Sequence, residues 1–195
     1  ICEEMVVRFN LLSALSTQND DPQGASKPFS KTRDGFVMAE GSATLVLESY
    51  EGAKARGAKI LGVVRGAGER ADTFHRTRST PDGSAIIDTI TRSMADAGMS
   101  PAEIDCINAH GTSTPVGDIQ ELKAVIEAFG GAAPRISSTK SLSGHSLGAA
   151  GVQEAIYCLL MMQGDFIAAS ANIENVDEAA QSLPIVRQRV DGAGL

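Results

Sequence analysis

Two segments of the chain share one order of features: a short apolar run, a polar turn that contains a histidine, and the start of an apolar-faced helix. The first turn covers residues 108–115 (NAHGTSTP) and the second covers residues 138–151 (STKSLSGHSLGAAG). Two of the three histidines of the chain, His110 and His145, lie in these turns. Ligands of α/β proteins bind where strands end, so we expect both histidines at such an end of one sheet.

Runs with strand character alternate with helical periodicity along the rest of the chain. This alternation predicts an α/β fold. A boundary near residues 57–59 would divide the chain into residues 1–57 and residues 58–195. Strands are predicted at 36–38, 43–47, 59–64, 104–109, 135–137, 166–169 and 183–186, and helices at 1–15, 51–56, 84–97, 116–129 and 149–162.

Composition excludes several classes of function. The net charge of -7 argues against nucleic acid as a partner. No apolar run is long enough to span a bilayer, and no secretory signal opens the chain. The three cysteines fit neither a disulfide framework nor a metal site, which favours a reducing cytoplasm. The chain opens on Ile1 and closes just after a strand-like stretch, so we expect a fragment of a longer protein.

Residues 144–148 (GHSLG) match the G-x-S-x-G pattern of serine hydrolases, and this is the first alternative to weigh. A hydrolase needs a histidine after its nucleophilic serine, but no histidine follows His145. An apolar strand should also precede Ser146, whereas residues 137–141 are polar. The SSTK sequence at 137–140 matches a penicillin-binding-protein motif without its partner motifs. The pattern alone therefore carries little weight.

The second interpretation makes the histidines the reacting groups. Two neutral imidazoles that each donate one N–H to a carbonyl oxygen would stabilise the negative charge that develops on that oxygen. Lys140 could hold positive charge near His145, and Thr112 and Thr114 place hydroxyls next to His110. The competing interpretation is that each histidine is a structural loop residue. Two histidines in matched contexts favour the catalytic interpretation.

Further motifs point to one family. Residues 14–17 (ALST), 19–22 (NDDP), 33–37 (RDGFV) and 53–58 (AKARGA), together with the two histidine turns, resemble the β-ketoacyl-acyl-carrier-protein synthases of the thiolase superfamily. The resemblance covers essentially the whole chain. It implies a thiolase-like fold of five α-β-α-β-α layers. Residues 1–57 would form the end of the first half and residues 58–195 most of the second.

The resemblance also implies a reaction. In this family a cysteine takes up an acyl chain, malonyl-carrier protein loses carbon dioxide, and the resulting carbanion attacks the acyl thioester. His110 and His145 match the two catalytic histidines, and Lys140 matches the assisting lysine. The positions that match substrate contacts are Thr112 and Thr114 for the pantetheine arm and Phe9 for the acyl pocket.

Several further expectations follow from the resemblance. The partner would be acyl carrier protein, the assembly a homodimer, the location cytoplasmic, and no cofactor would be needed beyond the carrier's phosphopantetheine. The nucleophilic cysteine would precede residue 1, and a Gly-Phe-Gly-Gly loop would follow residue 195. Cys106 and Cys158 are predicted core residues with raised thiol pKa values.

A non-catalytic partner subunit, similar to the chain-length factors of polyketide synthases, is the alternative within the family. Retention of His110, Lys140 and His145 argues against it, because such a subunit has no need of an electrostatic site for decarboxylation. Six basic residues are candidates for docking of an acidic carrier protein: Arg8, Lys27, Lys31, Arg33, Arg76 and Arg78.

Overall fold

The structure is a computed structural model of the chain, and it describes residues 1–75 and 78–195. Helices and short strands alternate from residue 84 onward, as expected for an α/β fold. The elements in the described residues are α1 (Glu3–Leu11), α2 (Tyr50–Ala55), α3 (Ser84–Ala97), β1 (Cys106–Asn108), α4 (Gly117–Ala128), β2 (Arg135–Ser137), α5 (Lys140–Ser143), α6 (Ala150–Gly164), β3 (Phe166–Ile167) and β4 (Val190–Asp191), with single 3-10 turns at Pro101–Glu103, Leu147–Ala149 and Glu178–Ala180.

A parallel pair of strands lies at the centre of the fold. β1 pairs with β2 so that Ile107 lies opposite Ile136, and α4 makes the crossover between them. Ile136 also bridges to Ile185, which places the predicted 183–186 strand beside β2 as an isolated bridge. β3 and β4 form a separate antiparallel pair.

Helices cover both faces of this parallel pair. Ile107 and Ile136 pack with Met94 of α3 and with Leu122 and Val125 of α4. Cys106, the neighbour of Ile107 in β1, instead packs with α6 and β3 in a second cluster around Met161 and Ile167. Successive side chains of a strand point to opposite faces, so the two clusters lie on opposite sides of the sheet.

Two predicted strands do not form pairs. Residues 43–47 and 59–64 carry no strand pairing within the described residues. In the part of the chain that the structure describes, the backbone N–H and C=O groups of these segments therefore make no ladder hydrogen bonds. Their apolar side chains are correspondingly open to solvent, with Val46 89% and Val64 74% exposed. Residues 36–38 take part only in isolated bridges, from Phe36 to Leu15 and from Met38 to His145.

The sequence predicts four helix-end signals: Gly57 after α2, Ser84 as the cap of α3, Gly98 at the end of α3, and a capping box at Ser100 and Glu103. Gly57 follows α2 with φ 71°, as predicted. Gly98 ends α3 in the left-handed conformation, and the Ser100 and Glu103 capping box opens the Pro101–Glu103 turn. The expectation that Ser84 caps α3 is wrong. Gly83 takes the cap position, and the backbone N–H of Ser84 donates to the carboxylate of Asp82.

Two further expectations concern the chain as a whole. Among the described residues, no helix is both long and apolar enough to cross a bilayer, since α6, the longest, has 15 residues. The proposed division into residues 1–57 and 58–195 stays a prediction. Arg76, one of the six basic candidates, lies outside the described residues.

Candidate active site

His110 lies two residues beyond β1, where the sequence placed it. The backbone N–H of Ala109 continues the sheet by donating to the carbonyl of Ser137. The N–H groups of His110 and Gly111 then turn away and donate to the two carboxylate oxygens of Glu121 on α4, each at 2.7 Å. Gly111 has φ 31°, and a Cβ here would lie 2.7 Å from Cβ of Ser138. Only glycine allows the two turns to approach this closely.

His145 reaches the site by a different route from the one expected. It does not follow β2 directly, because α5 stands between them. Its backbone is instead held by the 36–39 segment: His145 N–H donates to the carbonyl of Val37 at 2.8 Å, and Ala39 N–H donates to the carbonyl of His145 at 3.0 Å. Gly144, with φ 69° and ψ -168°, makes the turn that permits this pairing.

The two imidazoles meet, as predicted. The ring centroids of His110 and His145 lie 5.2 Å apart with an interplanar angle of 87°. Phe36 also packs edge-to-face against His145, with a centroid distance of 5.2 Å. Phe9 packs in turn against Phe36 at 5.3 Å, so it lies one ring away from His145 and does not contact it through a ring pair.

Lys140 is 2% exposed and lies at the base of the site. Its Nζ donates to the carbonyl oxygen of His110 at 2.7 Å, lies 3.3 Å from Nδ1 of the same residue, and forms an ion pair with Glu154. These three acceptors match the three N–H donors of an ammonium group. Lys140 was expected near His145, and its charge does act on that ring, whereas its hydrogen bonds go to His110.

The protonation states follow from this arrangement. Loss of water around each ring, followed by the charge of Lys140, lowers the pKa of both His110 and His145 to about 4. Both rings are therefore neutral at pH 7. An ammonium group only donates, so Nδ1 of His110 accepts and the ring carries its proton on Nε2. Within the described residues, Nδ1 of His145 is buried and has no hydrogen-bond partner.

Sequence reasoning missed two acidic residues that support the pair. Removal from water raises the pKa of Glu121 to about 7, although two backbone N–H groups oppose that shift. Burial likewise raises the pKa of Glu154 against the influence of Lys140. Glu154 was detectable, because it is the only acidic residue of α6, and a carboxylate inside an apolar helix usually has a buried partner. Nothing in the local sequence distinguishes Glu121.

Thr112 and Thr114 lie together in the turn after His110, with hydroxyl oxygens 3.1 Å apart. Their backbone N–H groups both donate to the carboxylate of Asp118, which is fully buried at the start of α4. Arg33 is also buried, at 7% exposure, against this turn. The hypothesis that Arg33 docks an acidic partner is therefore wrong, because a carrier protein at the surface would not reach its guanidinium group.

Among the described residues, Ser146, Cys106 and Cys158 lack the features of a nucleophile. The hydroxyl of Ser146 is hydrogen-bonded to Oε1 of Gln153, and φ -85°, ψ 21° at Ser146 lacks the strain of a nucleophile elbow. Burial raises the pKa of the Cys106 thiol to about 11 and also raises that of Cys158, as expected. Cys2 is exposed near the first residue. Among residues 1–75 and 78–195, no group of three or more His, Cys, Asp or Glu side chains is arranged to hold a metal ion.

Comparison with known proteins agrees with this geometry. The family model for the β-ketoacyl synthase C-terminal domain matches residues 61–174, and the model for the N-terminal domain matches residues 1–53. The chain is 47% identical to 3-oxoacyl-[acyl-carrier-protein] synthase 1 of Haemophilus influenzae, over 98% of this chain and 46% of that protein. It therefore spans about half the length of the curated relatives it matches.

Solved structures give the same result. A β-ketoacyl synthase from Burkholderia phymatum superposes with a TM-score of 0.91 at 41% identity, covering 96% of this chain and 45% of that one. A ketosynthase solved in complex with its type II polyketide acyl-carrier protein gives a TM-score of 0.91 at 35% identity, covering 98% of this chain and 48% of that one. The fold is therefore the thiolase-like α/β fold of ketosynthases, of which this chain is a part. The sequence, the paired histidines and these matches together place the chain in the β-ketoacyl synthase family.

Proposed function

We propose that the protein is a β-ketoacyl-acyl-carrier-protein synthase that condenses malonyl-carrier protein with an enzyme-bound acyl chain during fatty acid elongation. The observation that carries the proposal is the edge-to-face pair of neutral imidazoles, His110 and His145, beside the buried ammonium of Lys140. The family membership and the names of the curated relatives support it.

The chemistry begins with decarboxylation. The bond between the malonyl carboxylate and its methylene carbon breaks, carbon dioxide leaves, and the electron pair moves onto the thioester carbonyl oxygen as an enolate. Imidazole N–H groups of His110 and His145 would donate to that oxygen. Donors placed before the reaction stabilise developing charge without reorganisation. The enolate carbon then attacks the acyl thioester, a carbon–carbon bond forms, and the thiolate leaves.

Lys140 has a supporting part in this scheme. Its ammonium group fixes Nδ1 of His110 as an acceptor and thereby directs the Nε2 proton of that ring toward the substrate. It also favours negative charge nearby. Thr112 and Thr114 would hold the pantetheine arm with their paired hydroxyls, and Phe9 would line the acyl pocket.

The remaining components of the enzyme are also proposals. The high thiol pKa values of Cys106 and Cys158 make them poor nucleophiles, so the acyl-carrying cysteine would come from outside these 195 residues. Acyl carrier protein would be the partner, a homodimer the assembly and the cytoplasm the location. The imidazole N–H donors would stabilise the negative charge of the enolate, so no cofactor would be needed beyond the carrier's phosphopantetheine.

The test is release of carbon dioxide from malonyl-carrier protein by the intact protein and its variants. We expect His145→Ala to lower the rate of decarboxylation about 10²–10³-fold, the usual cost of one lost oxyanion donor, and to leave acylation of the nucleophile largely intact. Ser146→Ala is the matched control, since its neighbouring hydroxyl is bonded to Gln153. This control should retain the wild-type rate.

Three outcomes would contradict the proposal. Normal decarboxylation with lost acylation in His145→Ala would assign the histidine to the other half-reaction. Loss of activity in Ser146→Ala, with fluorophosphonate labelling of that serine, would favour a hydrolase. A wild-type protein that releases no carbon dioxide would favour the non-catalytic partner subunit.

A further inference from the structure

Arg33 is the most completely enclosed cation near the site after Lys140, and its donors converge on one turn. Nε donates to the carbonyl oxygen of Thr114 at 3.1 Å, and one terminal nitrogen donates to that of Pro115 at 2.6 Å. The other terminal nitrogen donates to the carbonyl oxygen of Ser30 at 2.8 Å. The guanidinium group of Arg33 is thus hydrogen-bonded to two successive backbone carbonyls of the turn that follows His110.

Two carboxylates balance this buried charge. Arg33 lies 3.4 Å from Asp118, whose side chain is completely buried, and 2.8 Å from Asp177, whose side chain is 25% exposed. Burial raises the pKa of Asp118, and Arg33 is among the influences that oppose this shift. The planar fork of arginine suits such multiple contacts, which a lysine cannot reproduce.

The turn is therefore fixed from both sides of its backbone. Asp118 accepts the N–H groups of Thr112 and Thr114, while Arg33 holds the carbonyl of Thr114. Between the threonines, Ser113 is fully buried with φ 69°, a left-handed conformation that a serine rarely adopts. The contacts of Asp118 and Arg33 with the turn hold Ser113 in this unfavourable conformation. They thereby set the 3.1 Å distance between the two threonine hydroxyl oxygens.

We propose that Arg33 is a positioning residue for the thioester arm: it holds Thr112 and Thr114 in the geometry that binds pantetheine. The inference rests on the proposed function, since it deepens the role given there to the two threonines. Arg33 itself does not touch the substrate. Its removal should therefore affect binding of the arm and leave the chemistry at the imidazoles unchanged.

The experiment uses the intact protein with Arg33→Lys and two substrates, malonyl-pantetheine and malonyl ethyl thioester, which lacks the arm. We expect KM for malonyl-pantetheine to rise about tenfold, the effect of losing one good hydrogen bond. The kcat for both substrates and KM for the truncated thioester should stay within about twofold of wild type. In a Thr112→Val/Thr114→Val background, Arg33→Lys should add no further change.

Asp177→Asn is the matched control. It removes the charge of the Asp177 carboxylate and leaves the contacts of Arg33 with the turn carbonyls and with Asp118, so KM should be unchanged. If thermal unfolding shows that Arg33→Lys does not fold, Arg33→Gln replaces it, and Asp118 is kept because it holds the N–H groups of the same turn. The same rise in KM is expected.

Equal losses with both substrates, or a fall in kcat alone, would overturn the inference and leave Arg33 a purely structural residue. Failure of the proposed function is a separate result, in which wild type releases no carbon dioxide from either thioester. In that case, the affinity for pantetheine, measured by calorimetry, tests the positioning role of Arg33. Weaker binding to Arg33→Lys than to wild type supports it, and equal binding overturns it.

Discussion

The rings of His110 and His145 stand edge-to-face with their centroids 5.2 Å apart, although 35 positions of sequence separate them. Each ring is brought there by a different backbone contact: His110 by the carboxylate of Glu121 and His145 by pairing with residues 37–39. A proton on either ring would face the other ring and the Lys140 ammonium. The surroundings of the two rings therefore favour their neutral form.

Both imidazoles should titrate far below the ordinary histidine range. Their pKa values are lowered to about 4 from 6.5, chiefly by loss of water and then by Lys140. Proton NMR of the ring Cε1–H signals in the intact protein, assigned with His110→Gln and His145→Gln, would measure these values. A midpoint near pH 6.5 for either ring would contradict the proposed charge state.

Stability should depend on pH with two opposing contributions. In the unfolded chain, the two histidines bind protons below about pH 6.5, whereas in the folded protein they bind protons only below about pH 4. The free energy of unfolding therefore decreases as the pH falls from about 6.5 to about 4. Glu121 acts oppositely, since its folded pKa of about 7 exceeds the ordinary 4.5 and its contribution is lost as pH rises between these values.

The variant Glu121→Gln separates these contributions. The substitution removes the contribution of Glu121, which opposes that of the histidines. The fall in the free energy of unfolding from pH 6.5 to 4.5 should therefore be steeper than in wild type. Urea unfolding at four or five pH values would show the change in slope. Glu154 and Asp118, whose pKa values are also raised, remain in both proteins and cancel in the comparison. A shallower slope in the variant would contradict the sign argued here.

Lys140→Met should be strongly destabilising. The substitution leaves the Glu154 carboxylate without its ion pair in a site where Lys140 is 2% exposed. Breaking a buried pair from one side typically costs about 3–5 kcal/mol of the free energy of unfolding. The double variant Lys140→Met/Glu154→Gln should recover part of that loss. Urea unfolding of the two single variants and the double variant completes the cycle, and simple additivity would show that the two side chains are not coupled.

The three cysteines should react with thiol reagents at very different rates. Cys2 is exposed, whereas Cys106 and Cys158 are half-buried and have raised thiol pKa values. Only the thiolate is nucleophilic, so at pH 8 iodoacetamide should label Cys2 first and the other two mainly after unfolding. Peptide mapping by mass spectrometry gives the order. Rapid native labelling of Cys106 would reopen the question of a nucleophile within this chain.

The 195 residues alone should aggregate and should not catalyse condensation. Several apolar side chains are open to solvent, with Val46 89%, Leu47 74% and Val64 74% exposed in segments that lack strand partners. Such unpaired apolar segments associate with one another. Static light scattering and a β-ketoacyl product assay test this expectation, and Val46→Lys/Val64→Lys should reduce aggregation. A soluble, active chain would mean that one of its own cysteines is the nucleophile.

The sequence by itself determined the α/β class, most helix positions, and the pairing of His110 with His145. Helical and strand periodicity are local properties, and Gly98 and the Ser100 capping box mark ends that depend only on neighbouring residues. The motifs around the two histidines also contained the family resemblance. These features were accessible because each depends on a few consecutive residues.

Only the tertiary structure decided which partners those residues have. It gave the hydrogen bonds of Lys140 to His110 and turned Arg33 inward onto the Thr114 carbonyl. Within the described residues it also left 43–47 and 59–64 without strand pairing. It also revealed Glu121 and Asp118, whose helix carries no local sign of their role. Ion pairs, burial and strand pairing depend on residues far apart in the chain, and their energies come from removal from water, which no local pattern records.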